Sequence, residues 1–160
     1  MGGNLFKLLI LDIDGVMTNG TKLYDTEGKV MGKSFYDHDF TAIKRFQADG
    51  VAVCFLSGDE RVNRKICKNR NIDYFHNRKG ADKSEYLEEI CQHYDAFPAT
   101  TAYVGDDIYD LQIMNLVNYS FCPVNAMQDV LDFCNKSGHV LETKGGEGVI
   151  KELYAYVCRQ

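Results

Sequence analysis

The chain is punctuated by short, mostly apolar runs that stop abruptly at polar or small residues. They are Leu5 to Leu11, Val51 to Leu56, Ile72 to Phe75, Thr101 to Val104, Tyr119 to Cys122 and His139 to Leu141. None shows the strict apolar-polar alternation of a half-exposed strand. Runs of this kind suit strands covered on both faces, the environment of a parallel sheet. Between them the sequence predicts helices over 41–49, 60–70, 82–95, 108–117, 126–135 and 147–158. In the third, Tyr86, Leu87, Ile90 and Cys91 fall three or four apart and give one apolar face to lay on the sheet. Strand and helix in alternation predict an α/β fold, a Rossmann-like parallel sheet flanked by helices and joined by right-handed crossovers.

One stretch breaks the alternation. After Asp14, short β-prone segments surround Gly20, Asp25-Thr26-Glu27 and Gly28. This predicts a β-hairpin after the first strand in place of a helix. No repeat or linker divides the sequence, and 160 residues match a single domain over 1–160.

Composition narrows the partners. The net charge of −5 argues against DNA, RNA or an anionic membrane as partner, since each selects a basic surface. No apolar stretch approaches a membrane span, and the run at Leu8 to Leu11 is too short for a signal peptide. Cys54, Cys67, Cys91, Cys122, Cys134 and Cys158 form no CxxC pair, and several sit in apolar runs as small hydrophobes. Reduced core thiols fit a cytoplasmic protein.

In open α/β sheets ligands bind beyond the carboxyl ends of the strands. Those ends here carry Asp12-Ile13-Asp14-Gly15, Ser57-Gly58-Asp59 and Gly105-Asp106-Asp107, with Lys83 opening a helix after the third strand. Several carboxylates around one point repel one another unless a hard cation sits among them. Mg²⁺ is the natural choice, because it takes oxygen ligands and often a substrate phosphate. Ser57, Lys83 and free backbone N–H groups suit the remaining phosphate oxygens. One carboxylate can then attack phosphorus and a second can move the proton.

These residues resemble the four motifs of the haloacid dehalogenase superfamily, in order and across nearly the whole chain. Asp12-Ile13-Asp14-Gly15-Val16 is similar to the first, Ser57-Gly58 to the second, Lys83 to the third and Gly105-Asp106-Asp107-Ile108-Tyr109-Asp110 to the fourth. The resemblance implies Asp12 as nucleophile and Asp14 as general acid/base. It also implies Asp12, Asp14 and Asp106 as metal ligands, Asp107 acting through metal-bound water, and Asp110 orienting Lys83.

The short interval from Asp14 to Ser57 leaves no room for a cap domain. With the hairpin and Gly145-Gly146-Glu147-Gly148, the chain resembles the capless phosphatases of eight- and nine-carbon 2-keto-3-deoxy sugar acids. That resemblance implies a phosphorylated sugar acid as substrate and a homotetramer packed through the hairpins, a neighbour covering each site. The same fold occurs as the C-terminal domain of CMP-sialic acid synthetases, so a non-catalytic tetramerisation domain is the alternative. Compared with the octulosonate phosphatases, Asp37-His38-Asp39-Phe40 stands in for an Arg-Asp-Gly loop, and Asp59 replaces an arginine after the second motif. Lys144 stands where the tail usually has arginine. His38, Asp39, Asp59 and Lys144 are therefore the expected specificity residues. Asp59 is expected to repel a substrate carboxylate and to favour the nine-carbon acid.

Overall fold

The computed structural model describes residues 4–78 and 82–160. In chain order the strands are β1 (Leu8–Leu11), β2 (Leu23–Tyr24), β3 (Val30–Gly32), β4 (Ala52–Ser57), β5 (Asp73–His76), β6 (Thr101–Val104), β7 (Tyr119–Cys122) and β8 (His139–Val140). The helices are α1 (Asp37–Ala48), α2 (Arg61–Arg70), α3 (Leu87–His93), α4 (Leu111–Leu116), α5 (Gln128–Ser137) and α6 (Val149–Val157). Six strands form one parallel sheet in the order β5-β4-β1-β6-β7-β8.

All four residues of β1 are buried, because both faces of the sheet are covered. Leu9 and Leu11 share a cluster with Phe40, Ile43 and Phe46 of α1 and with Ile150 and Leu153 of α6. Leu8 and Ile10 point the other way, into a cluster with Ile90 of α3, Met114 of α4 and Val130 of α5. The unbroken apolar runs of the sequence are the signature of this two-sided burial. The chain leaves β1 for β4 and β5 on one side and then returns to β6, β7 and β8 on the other. The carboxyl ends of β1 and β6 therefore flank the switch point where such sheets open a crevice.

The hairpin expected after the first strand is present as β2 and β3, antiparallel and separate from the main sheet. Gly28 turns it with φ of 77°. Three expectations about local structure shift. The first strand covers only Leu8–Leu11, not the whole of Leu5 to Leu11. The helical segments at 82–95 and 108–117 each open with a 3-10 turn, at Lys83–Tyr86 and Ile108–Asp110, before α3 and α4 begin. Asp37-His38-Asp39-Phe40 is not a loop but the first turn of α1, where Asp37 and Asp39 face the positive end of the helix.

Gly145 and Gly146 pack on their own chain. Gly146 N–H donates to the carbonyl of Val16 at 3.0 Å, and Gly145 N–H to Asn125 Oδ1 at 3.0 Å. A Cβ on Gly145 would lie 2.0 Å from the Gly15 carbonyl oxygen, so only glycine lets this segment buttress the loop after β1.

Candidate active site

Asp12 follows β1 directly, and its Oδ1 accepts hydrogen bonds from the Ile13 N–H at 2.8 Å and lies 3.0 Å from Lys83 Nζ. Gly15, at φ of 87°, turns the chain across the carboxylate of Asp106 at the end of β6. A Cβ at position 15 would fall 1.8 Å from Asp106 Oδ2. Glycine there is a requirement of the close approach, which brings two acids from different strands together.

Asp110 is buried and fully engaged. Its Oδ1 accepts from Lys83 Nζ at 2.8 Å and from the Tyr103 hydroxyl at 2.5 Å, and its Oδ2 accepts from the N–H groups of Asp106 and Asp107, both at 3.0 Å. Lys83 is thus pinned between Asp110 and Asp12, with the Tyr103 hydroxyl 3.2 Å away. Burial works against its ammonium, but the two carboxylates outweigh it and hold the lysine charged. Asp107 caps the turn that follows, accepting from the Tyr109 N–H.

Burial drives the Asp12 carboxyl well above its ordinary pKa; Lys83 opposes this, while Asp110 and Asp106 add to it. Burial, with repulsion from Asp110, likewise pushes Asp106 up to about 7. Carboxylate oxygens of Asp12, Asp106 and Asp110 lie within 4.8 Å of one another. With Asp110 saturated by four donors, Asp12 and Asp106 remain for a cation, and Asp106 Oδ1 is a buried oxygen without a hydrogen bond. Such a donor set fits a small hard divalent ion. Because bound metal requires the ionised carboxylate, apparent Mg²⁺ affinity should rise with pH through about 7. Calorimetric Mg²⁺ titrations at several pH values check this; an affinity independent of pH below 7 contradicts it.

Ser57 ends β4, buried, its hydroxyl accepting from Asn63 Nδ2 at 3.0 Å. Asp12, Asp14, Ser57, Gly58, Asp59, Lys83, Asp106 and Asp107 line one pocket of about 310 Å³, joined by Gly20, Lys22, Asn77 and Tyr109. Among the residues expected to read the substrate, Asp59 alone reaches this pocket.

The other three lie elsewhere. Asp39 is wholly buried and accepts from the N–H groups of Ile150 at 3.0 Å and Lys151 at 2.9 Å, so it caps the start of α6. Burial pushes its pKa up to about 6. His38 is exposed beside the Tyr36 hydroxyl, 3.0 Å away. Lys144 is exposed, next to the glycines that dock on the chain's own first loop. Asp39→Ala should cost about 1–2 kcal/mol of stability, the loss of a helix cap, with kcat/KM kept within a few-fold. A substrate contact would instead lower kcat/KM and spare the thermal midpoint.

The reading of Asp59 as a free negative charge also changes. Its Oδ2 lies 2.5 Å from Lys33 Nζ and 3.6 Å from Lys22 Nζ, while its Oδ1 accepts from the Arg61 N–H. Burial disfavours the charge, but Lys33 outweighs it and holds the carboxyl below its ordinary value. The paired carboxylate therefore repels a substrate anion far less than an isolated one.

Three further residues belong to this site, and two of them carry a signal in the sequence. Asn63 falls three and four residues before Ile66 and Cys67, a polar group on the buried stripe of α2. Tyr103 stands in the middle of a fully buried strand, where a phenol must find a partner. Lys33 carries no local signal; its burial arises only when the hairpin returns to the loop after β4.

Among the described residues no helix is long and apolar enough to cross a membrane. Five of the six cysteines are buried and all six are unpaired; Cys158 is exposed.

Residues 59–153 match the family model of the haloacid dehalogenase-like hydrolases. Among curated proteins, the chain is 32% identical over 148 residues to the 3-deoxy-D-manno-octulosonate 8-phosphate phosphatase KdsC of Haemophilus influenzae, covering 92% of this chain and 79% of that one. Among solved structures, the cobalt-bound phosphatase of Haemophilus influenzae superposes with a TM-score of 0.86 at 29% identity, over 97% of this chain and 88% of that one. The Moraxella catarrhalis enzyme, crystallised with magnesium, phosphate and KDO, shares the fold at a TM-score of 0.86 and 20% identity, over 98% and 88% of the two chains. With more than half its length matched by the family model and its carboxylates gathered at the switch point, the chain belongs to the haloacid dehalogenase-like hydrolase family and is one of its phosphatases.

Proposed function

We propose that the chain hydrolyses the phosphomonoester of an eight- or nine-carbon 2-keto-3-deoxy sugar acid through an aspartyl-phosphate, with Mg²⁺ as cofactor. The observation that carries this is the convergence of Asp12, Asp106 and Lys83 on one pocket, with the buried Asp110 holding Lys83 from behind. The likeness to octulosonate 8-phosphate phosphatases supports the substrate class.

The carboxylates of Asp12 and Asp106, with the backbone carbonyl of Asp14, would hold Mg²⁺, which would supply positive charge for the phosphoryl oxygens when bound. Ser57, the Gly58 backbone and Lys83 hold the phosphate. A carboxylate oxygen of Asp12 bonds to phosphorus as the bond from phosphorus to the sugar oxygen breaks, and Asp14 gives its proton to that oxygen. Asp14 then takes a proton from a water whose oxygen attacks the phosphorus. Phosphate leaves and Asp12 is restored. Asp107, at the pocket wall, would act through water bound to the metal, and Asp110 acts through Lys83.

The site is open toward solvent, and the hairpin beside it leaves Leu23 63%, Tyr24 55% and Met31 63% exposed. An apolar hairpin of this kind favours pairing with copies of itself in a closed ring, which supports a homotetramer. Unpaired thiols support the cytoplasm, and the net charge of −5 argues against nucleic acid or an anionic membrane as partner. The test is turnover of eight- and nine-carbon keto acid phosphates and of an aryl phosphate, with light scattering on the same sample. Turnover of a keto acid phosphate above the aryl phosphate by a tetramer is the expected result. Aryl hydrolysis alone overturns the substrate class, no hydrolysis at all overturns the enzymatic reading, and a monomer at micromolar concentration overturns the assembly.

A further inference from the structure

Lys33 has no place in the reaction described so far, yet its side chain is completely buried at the edge of the site. A buried ammonium is costly unless paired, and this one is paired three times. Its Nζ lies 2.8 Å from Asp14 Oδ1, 2.5 Å from Asp59 Oδ2 and 3.0 Å from Asn63 Oδ1. The contact to Asn63 is a hydrogen bond, and the two to Asp14 and Asp59 are ion pairs that compensate the buried charge.

Asn63 completes the arrangement. While its oxygen accepts from Lys33, its amide nitrogen donates to Asp14 Oδ2 at 3.2 Å and to the Ser57 hydroxyl at 3.0 Å. Both oxygens of Asp14 are thereby tied, one to Lys33 and one to Asn63, and the same amide reaches the hydroxyl placed at the phosphate. Lys33 comes from the end of β3, Asp59 from the loop after β4 and Asn63 from α2. Neither Lys33 nor Asn63 lines the pocket.

We propose that Lys33 is a positioning residue: with Asn63 it brackets the Asp14 carboxyl and sets the direction in which Asp14 delivers its proton, so that the seating of the hairpin controls proton transfer. This rests on the phosphatase reading above. Proton delivery matters most when the leaving oxygen is a poor leaving group. A sugar alkoxide needs the proton as its bond to phosphorus breaks, whereas a nitrophenolate departs without it. The ratio kcat/KM covers steps only through the first departure, so slower release of phosphate from Asp12 does not enter it.

The experiment compares kcat/KM for an alkyl phosphomonoester, the best sugar acid phosphate found for the wild-type protein, and for p-nitrophenyl phosphate. The variants are Lys33→Met, which removes the charge and keeps the length, and Asn63→Leu, which removes the other half of the bracket and leaves Lys33 paired to Asp14 and Asp59. In both, kcat/KM for the alkyl ester is expected to fall by about 100-fold, the scale of a misplaced general acid. For the aryl ester the expected fall is under about 10-fold, with its KM within a few-fold. Equal losses on both esters overturn the proposal, because a general structural role makes no distinction between leaving groups. A rise in KM with kcat intact overturns it too, since that marks lost binding. If Lys33→Met does not fold, Asn63→Leu decides by the same contrast. A wild-type protein inactive on both esters overturns the phosphatase reading and this proposal with it.

Discussion

Replacing Asp12 by asparagine is expected to remove phosphatase turnover while the fold survives. The exchange keeps the shape of the side chain, and the amide oxygen still accepts the Ile13 N–H that now ends on Asp12 Oδ1. What it removes is a nucleophilic oxygen and one of the two carboxylates left for the cation once Asp110 is saturated. It also removes an acid whose burial and like-charged neighbours hold its pKa high, so the metal-free variant should lose little stability. A loss of at least about 10³-fold in kcat, or ~4 kcal/mol of barrier, is the expected scale for a group that forms the covalent intermediate. Rapid acid-quench assays should find no phosphoenzyme of the kind that alkali or hydroxylamine cleaves. Retention of a tenth of wild-type kcat, with phosphate still trapped on the protein, would move the nucleophile to another carboxylate.

How much of this site could be read in advance depended on where each residue gets its meaning. Asp12, Asp106 and Ser57 get theirs from the strand they terminate, and an apolar run that stops at an acid is visible in any linear reading. Asp110 and Lys83 are likewise legible, Asp110 within the acid-rich turn after β6 and Lys83 at the start of the helical segment that follows β5. Lys33 is different. It is separated from Asp14 by 19 positions and by the whole hairpin, and no local pattern marks a lysine between Gly32 and Ser34 as buried. Asp39 shows the reverse failure: its likeness to a motif acid drew attention, but its carboxylate is spent on the N–H groups of Ile150 and Lys151, over a hundred positions away. His38 and Lys144 stay outside the pocket. Helix boundaries moved for a simpler reason. A 3-10 turn and the α-helix after it share one apolar face, and periodicity cannot separate them.

Replacing Lys83 by methionine should damage both the fold and the chemistry, and by separable amounts. The methionine fills the volume, but the ammonium now lies 3.0 Å from Asp12 Oδ1 and 2.8 Å from Asp110 Oδ1, and both acids are buried. Without it those carboxylates face each other across a site that water reaches only from one side. Breaking a buried pair by removing one partner costs about 3–5 kcal/mol, because the charge left behind has lost its compensation. For a domain of this size that corresponds to a fall in Tm of roughly 10 °C, at about 2–4 °C per kcal/mol. In the same variant kcat should drop by about 10²–10³-fold, the scale of losing one preorganised donor to the transferring phosphoryl group. A double variant separates the two effects. Lys83→Met with Asp110→Asn removes one of the stranded charges, and the asparagine oxygen still accepts from the Asp106 or Tyr103 donors. It should recover a substantial part of the lost Tm and none of the lost kcat. Recovery of activity along with stability would mean that Lys83 serves only to hold Asp110 in place, and that the phosphate is held by Ser57 and the Gly58 backbone without it.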